Sequence, residues 1–422
     1  MVAITELPHR EADVRQLLKS ADHSVALPVP RYVPTQVVFG RGAAHTLDTV
    51  IRHRLGVCGF HRPMVLTGRE AAVKPWLAAV IAACRRLGTA VVVENPRANP
   101  TPESMQHVLD IARQHRVDGV VAIGGGSVLD TGKAVALLAA GERSVAEAVD
   151  QKSGSDAAGR GGPRGTGLVA VPTTAGSGAE VTRTATVWDE REQRKRALDH
   201  EALFPDLAIV DPLLTMSAPD GVWRSCGLDA LAQAVESSWS VAADAESLRF
   251  SLPAVRLAAE GLEAVLADPG DEAARTVLSC ASVFAGLAIA GTRTTVPHAV
   301  SYPMTLRHGI PHGHACALTL GAVLRFNAAV TAQDCRDPRG PEHVTRVLRS
   351  VCHRLDARDP AEAHQRLDVL LRRLGLPALR GLDHIDVRVL ADDVVTYNRF
   401  DNNPRRMSRD QLTALLRAES TS

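Results

Sequence analysis

The sequence predicts an α/β half built on a parallel sheet, followed by an all-helical half, and three observations carry this. Short β-type runs alternate with helical stretches of roughly ten to fifteen residues, as βαβ units require. Beyond Pro212 the β-type runs stop, and Ala- and Leu-rich segments with helical periodicity fill the remainder. At 422 residues the chain is too long for one ordinary core, so two domains are the default.

Residues 1–30 carry mixed charge and few large apolar groups, and are expected to form a peripheral extension. Val37-Val38-Phe39-Gly40-Arg41-Gly42 is a first β-type run closed by glycines. Met64–Gly68, Ala90–Val93 and Gly119–Ile123 follow, separated by helical patterns near 71–87 and 101–115. Residues 152–167, KSGSDAAGRGGPRGTG, read as a Gly-rich mobile loop. The sheet resumes at Leu168–Pro172, and Leu207–Pro212 is its last strand. Helical patterns then occupy 222–240, 245–266, 271–291, 314–331, 342–355, 361–374 and 408–418. The expected boundaries are an extension over 1–30, an α/β domain over 31–212 and a helical domain over 213–422.

A formal net charge of +1 argues against a nucleic-acid or anionic-membrane partner. Seven cysteines, odd in number and without a CxxC pair, resemble reduced intracellular thiols rather than a disulfide framework. The N-terminal MVAITELPHREADVRQLLKS lacks the apolar core of a secretory signal. No run approaches the roughly 20 apolar residues of a membrane span. These features lead us to expect a cytoplasmic enzyme acting on a small molecule.

Two loops offer phosphate-binding chemistry. Gly124-Gly125-Gly126-Ser127-Val-Leu-Asp130 lies between the strand ending at Ile123 and a helix. Glycines there let a ligand approach the backbone, and the helix N-terminus offers N–H groups and partial positive charge. A ligand-free tight turn would look the same. Pro172-Thr173-Thr174-Ala175-Gly176-Ser177-Gly178 is a second small, hydroxyl-rich loop after a strand. Two such loops at the carboxyl ends of one sheet would line one crevice. Neither is the G-x-G-x-x-G fingerprint or a Walker A sequence.

The helical half holds His298, His308, His312 and His314 within seventeen positions interrupted by Pro303 and Pro311. Each proline removes a backbone donor, so these histidines cannot share one continuous helix. Upstream, Asp229 and Gln233 share one helix face at i and i+4. A carboxylate with two imidazoles suits Zn2+ or Fe2+. Unrelated surface or core histidines are the other reading.

Taken in order, the Gly124-Gly125-Gly126-Ser127…Asp130 and Pro172–Thr182 motifs, Asp229, His298 and His312 resemble the iron-containing (group III) alcohol dehydrogenase family. The match runs from about Arg31 to about Leu416. The resemblance implies a Rossmann-like N-terminal dinucleotide domain and an all-α C-terminal domain, together a dehydroquinate synthase-like fold. It also implies NAD(P)H and one divalent metal, Fe2+ or Zn2+. Carried over by position, Gly68, Gly125, Gly126, Ser127, Asp130, Thr173, Thr174, Ser177 and Lys195 would bind the cofactor. Asp229, Gln233, His298 and His312 would fall at the metal.

The chain departs from that pattern in three places. Gln233 stands where the family has a metal-binding histidine; a neutral amide is a weaker ligand, so Asp229, His298 and His312 would hold the ion, with Gln233 a ligand or an outer hydrogen-bonding partner. Tyr302 replaces a histidine near the nicotinamide and would serve as a proton carrier or as a packing wall. Gly68 replaces an aspartate, which with neighbouring Arg69 favours NADPH, unless Arg69 is an ordinary surface charge.

The implied reaction is reduction of an aldehyde to a primary alcohol, with no nucleic-acid or membrane partner and a homodimer expected. Lys195-Arg196, Arg293 and Arg307-His308 suggest an anionic substrate, or else face solvent. Local phrases such as Gln233-Ala-Val-Glu236-Ser237 and His312-Gly313-His314-Ala315 look most like the phosphonoacetaldehyde reductase branch, with Arg293 the candidate phosphonate contact. A general alcohol dehydrogenase, a dehydroquinate synthase-like lyase and a metal-free binding protein are the alternatives.

Overall fold

The computed structural model describes residues 18–21, 24–55, 60–68, 74–95, 98–150, 165–382 and 385–421. The chain forms two compact units, Met1–Ala218 and Pro219–Ser422. Arg69 and most of the Gly-rich loop at 152–167 lie outside the described residues.

The first unit is a seven-stranded sheet in the order β1 (Val25–Leu27), β2 (Gln36–Phe39), β9 (Leu207–Val210), β6 (Gly167–Pro172), β5 (Gly119–Gly124), β3 (Pro63–Gly68), β4 (Val91–Asn95). Every neighbouring pair is parallel except β1 with β2. Apolar side chains alternate to both faces. Val65, Val121 and Ile123 pack beneath α1 (Leu47–Leu55) and α2 (Pro75–Leu87). Met64, Leu66, Val120 and Ala122 pack beneath α3 (Pro102–Gln114) and α4 (Gly126–Leu138). Burial on both faces is why these strands read as continuous apolar runs. Thr101 caps α3 through a capping box with Ser104, and Pro102 occupies its first turn.

Two expectations for this half are corrected. The N-terminal 30 residues are not wholly peripheral: Val25–Leu27 pairs antiparallel with β2, so the sheet is mixed. A hairpin of β7 (Thr184–Asp189) and β8 (Arg194–Asp199) also forms. Its Arg- and Lys-rich second strand lacks apolar alternation, and its turn uses Gln193 at φ 49 rather than glycine. Both hairpin signals are therefore missing from the sequence.

After the short α5 (Val145–Asp150), helices α6 (Asp220–Trp239), α7 (Ala245–Ala267), α8 (Glu272–Thr292), α9 (Val296–His308) and α10 (His312–Ala328) form the centre of the second unit. Helices α11 (Pro341–Arg354), α12 (Pro360–Arg373), α13 (Val387–Val394) and α14 (Arg409–Thr421) complete it. Helix α8 meets the length and composition of a membrane span, but 78% of its apolar window is buried, as in a core helix. Pro303 lies inside α9 without ending it; Val296–Met304 is fully buried, and that packing offsets the lost hydrogen bond. The chain breaks instead at Gly309–Pro311, which delivers His298 and His312 from two helices.

Candidate metal and dinucleotide sites

In the first unit, α2 and α4 leave neighbouring strands β3 and β5 toward opposite faces of the sheet. The carboxyl ends of those strands thus form a topological switch point, where open α/β sheets bind ligands. Gly68 ends β3 there, 3.6 Å from Val128 measured from an ideal Cβ. Gly125 is the N-cap of α4, and no side chain caps that helix end.

The two loops touch. Gly124 pairs with Pro172, and the Thr173 N–H donates to the Gly124 carbonyl at 3.0 Å. A Cβ on Gly125 would sit 3.3 Å from Thr174 Oγ1, and one on Gly126 would sit 2.8 Å from Ser177 Oγ. The Ser127 hydroxyl accepts from the Asn99 N–H at 3.2 Å. The geometry therefore brings together Gly68, Gly125, Gly126, Ser127, Thr173, Thr174 and Ser177.

Two other residues expected at the cofactor are engaged elsewhere. Asp130 accepts from the Thr186 N–H at 2.9 Å and lies 3.8 Å from the fully buried Lys133, which donates to the Thr184 carbonyl at 2.8 Å. Burial raises the Asp130 carboxyl despite Lys133. Lys195 extends over the Trp188 ring, 5.3 Å from its centroid.

In the helical unit, Asp229 on α6, His298 on α9, and His312 and Cys316 on α10 place one donor atom each within 4.8 Å of one another. Gly313 makes this possible. A Cβ there would lie 1.8 Å from the Ser225 carbonyl oxygen and 2.7 Å from the Asp229 N, so only glycine lets α10 rest on α6 at this point. The Gly313 N–H donates to Ser225 Oγ at 3.1 Å, fixing the approach.

Hydrogen bonds orient both imidazoles. His298 Nδ1 donates to Glu236, whose other oxygen accepts from the Thr295 N–H at 2.6 Å and the Thr295 hydroxyl at 2.8 Å. Trp239 Nε1 in turn donates to that hydroxyl at 2.9 Å. This leaves His298 Nε2 facing Asp229 Oδ1 at 3.2 Å. The Ser301 hydroxyl donates to the His298 carbonyl at 2.7 Å, so His312 Nδ1 donates to Ser301 at 3.1 Å and its Nε2 keeps a lone pair.

Burial alone would depress the His298 imidazole, but Cys316, Glu236 and Asp229 outweigh it and hold it well above its ordinary value. Burial likewise raises the Cys316 thiol, with His298 opposing. A buried carboxylate, two oriented imidazoles and a thiol form a donor set suited to Zn2+ or Fe2+.

Gln233 lies one turn beyond Asp229 on α6, 4% exposed. Tyr302 is buried, stacked on His312 at 6.0 Å and edge-on to Tyr397 at 5.0 Å. His314 is buried too, donating from Nε2 to the Pro377 carbonyl at 2.8 Å. Arg307 pairs with Asp393 at 2.6 Å, and Arg196 with Asp150 and Asp189. Arg293, half-buried, forms the C-cap of α8 at φ 59, a conformation uncommon outside glycine.

Sequence reasoning passed over Glu236 and Cys316. Glu236 follows Asp229 at i+7 and Gln233 at i+3 on one helix face, and Cys316 follows His312 at i+4. Those spacings were the available signals.

The model for the iron-containing alcohol dehydrogenase domain matches residues 34–212, and that for the C-terminal part of the Fe-containing alcohol dehydrogenase family matches 224–420. The chain belongs to the iron-containing alcohol dehydrogenase family. Within it, the chain is 42% identical to phosphonoacetaldehyde reductase of Streptomyces viridochromogenes, over 83% of this chain and 88% of that protein. It is 29% identical to sulfoacetaldehyde reductase of Bilophila wadsworthia, over 76% of this chain and 81% of that one. The crystal structure of sulfoacetaldehyde reductase from Bifidobacterium kashiwanohense in complex with NAD+ superposes with a TM-score of 0.80 at 28% identity, covering 92% of this chain and 98% of that one.

Proposed function

We propose that the protein reduces a small anionic aldehyde to a primary alcohol with NAD(P)H at a divalent metal centre, and that phosphonoacetaldehyde is its substrate, giving 2-hydroxyethylphosphonate. The observation that carries the reading is the convergence of buried Asp229 and His298 with half-buried His312, their donor atoms within 4.8 Å of one another. Polarisation of a carbonyl oxygen is the chemistry a divalent ion supplies when bound there. Glu236 and Ser301 hold the two imidazoles so that their lone pairs face the centre. The Tyr302 ring, packed between His312 and Tyr397, favours a wall that excludes water over a proton carrier.

For the cofactor, the paired loops and the N-terminus of α4 suit a pyrophosphate. Gly68 brings no carboxylate to the end of β3, which supports use of NADPH as well as NADH. For the substrate, the relatives named above act on acetaldehydes bearing a phosphonate or a sulfonate, which supports an oxyanion here. Arg293 is the candidate contact: it sits two residues before Thr295 in a strained conformation of the kind that clusters at functional sites.

The test follows NADPH absorbance with phosphonoacetaldehyde beside a neutral aldehyde of similar length, with NADH as a further arm. Rapid turnover confined to the phosphonate is expected. Arg293→Ala should raise KM for the anionic aldehyde by roughly 10-fold or more, the scale of losing a hydrogen bond to a charged group, and leave the neutral one nearly unchanged. Comparable rates with both aldehydes would leave a general alcohol dehydrogenase, and equal effects of Arg293→Ala on both would reject that residue.

A further inference from the structure

Resting on the metal-centre reading above, we infer that Cys316 is a metal ligand, so that the ion would be held by an Asp229/His298/His312/Cys316 set, and the carbonyl oxygen of the substrate would enter as a fifth ligand. Cys316 has no exposed surface, and its sulfur belongs to the same group of donor atoms, all within 4.8 Å of one another, as the carboxylate and the two imidazoles. It follows His312 by one helical turn on α10, so the close approach of α10 to α6 at Gly313 brings both residues to Asp229 together. Sulfur sits about 2.3 Å from Zn2+ and imidazole nitrogen about 2.0–2.1 Å, so these donors, all within 4.8 Å of one another, would close in slightly around one such ion.

The chemical consequence concerns which metal is held. Replacing an imidazole with an amide at Gln233 weakens a nitrogen position, while a thiolate adds a soft, charged donor that favours Zn2+ over Fe2+. With Asp229 and Cys316 both anionic, the ligand charge offsets that of a divalent ion.

The experiment loads the full-length protein with Co2+ and records its spectrum beside that of Cys316→Ser. Wild type is expected to show cobalt d–d bands together with a near-ultraviolet sulfur-to-cobalt charge-transfer band. Cys316→Ser should keep d–d bands and lose the charge-transfer band, and its Zn2+ affinity should fall by more than the roughly 10–100-fold typical of losing an outer hydrogen-bonding partner. X-ray absorption on the wild-type zinc protein needs no variant, and should find one sulfur at about 2.3 Å. A shell of nitrogen and oxygen alone, or a charge-transfer band unchanged in Cys316→Ser, would overturn the assignment while leaving a metal centre intact. Absence of d–d bands in wild type would overturn the metal centre itself and this ligand with it.

Discussion

The two units build their sites from opposite materials. In the α/β unit the candidate site is mostly backbone: glycines at the end of β3 and the start of α4, an uncapped helix N-terminus and a hydroxyl-bearing loop lying against it. In the helical unit it is mostly side chain: four donors from three helices, with outer groups that set each ring's orientation. A backbone site depends on what is absent at a position, and a side-chain site on what converges there. The two should therefore break differently.

The largest contrast is expected between two glycine substitutions. In Gly313→Ala the new methyl meets the Ser225 carbonyl and the Asp229 N, backbone atoms that cannot rotate away. We expect a loss of about 1–3 kcal/mol, as overpacking typically costs, and metal content well below one ion per chain. In Gly126→Ala the methyl meets the Ser177 side chain. That variant should keep its metal and show a raised KM for NAD(P)H. Metal analysis and thermal unfolding of the pair check this; full metal content in Gly313→Ala would dissolve the contrast.

Next comes the orientation of His298. Thr295 presents two donors to Glu236, so in Glu236→Gln the amide oxygen must face Thr295 and the amide N–H must face His298 Nδ1. The proton then moves to Nε2, the atom facing Asp229. Metal affinity should drop roughly 10–100-fold without loss of fold. Competition with a chromogenic chelator measures it, and unchanged affinity would show that Glu236 does not set the tautomer.

The last contrast lies in the α/β unit. Burial pushes the Glu180 carboxyl from its ordinary 4.5 up to about 7. The folded state therefore holds this proton more tightly than the unfolded chain does. Its contribution to stability is full below about pH 4.5 and is lost as pH rises to about 7. Glu180→Gln removes that slope, so its Tm relative to wild type should climb across that interval. A difference that stays constant with pH would show that Glu180 does not titrate there.

The same division explains what could be read in advance. Strand and helix alternation, the Gly-rich turn after β5 and the switch to helices after Pro212 follow from local periodicity, and the structure carries them. Asp229, His298 and His312 were legible as donors of suitable type. Their convergence depended on Gly313, whose value lies in the lack of a Cβ, which would sit 1.8 Å from the Ser225 carbonyl oxygen on α6, and not in any pattern. Cys316 was hidden because one thiol in an apolar stretch reads as a small core residue. Glu236 sat within a buried helix where no charge is expected, until Thr295 and His298 are seen around it. Pro303 misled about α9 because tertiary burial outweighed a local rule, and β7–β8 was missed because an exposed charged strand carries no apolar signature.

The central claim is that the helical unit holds one divalent ion needed for reduction. Its most direct test is metal content and NADPH turnover, measured together on wild type, His298→Ala and His312→Ala. The account predicts one ion per chain and turnover in wild type, with both lost in either variant. Full metal content in either variant, or unchanged turnover without metal, would contradict it.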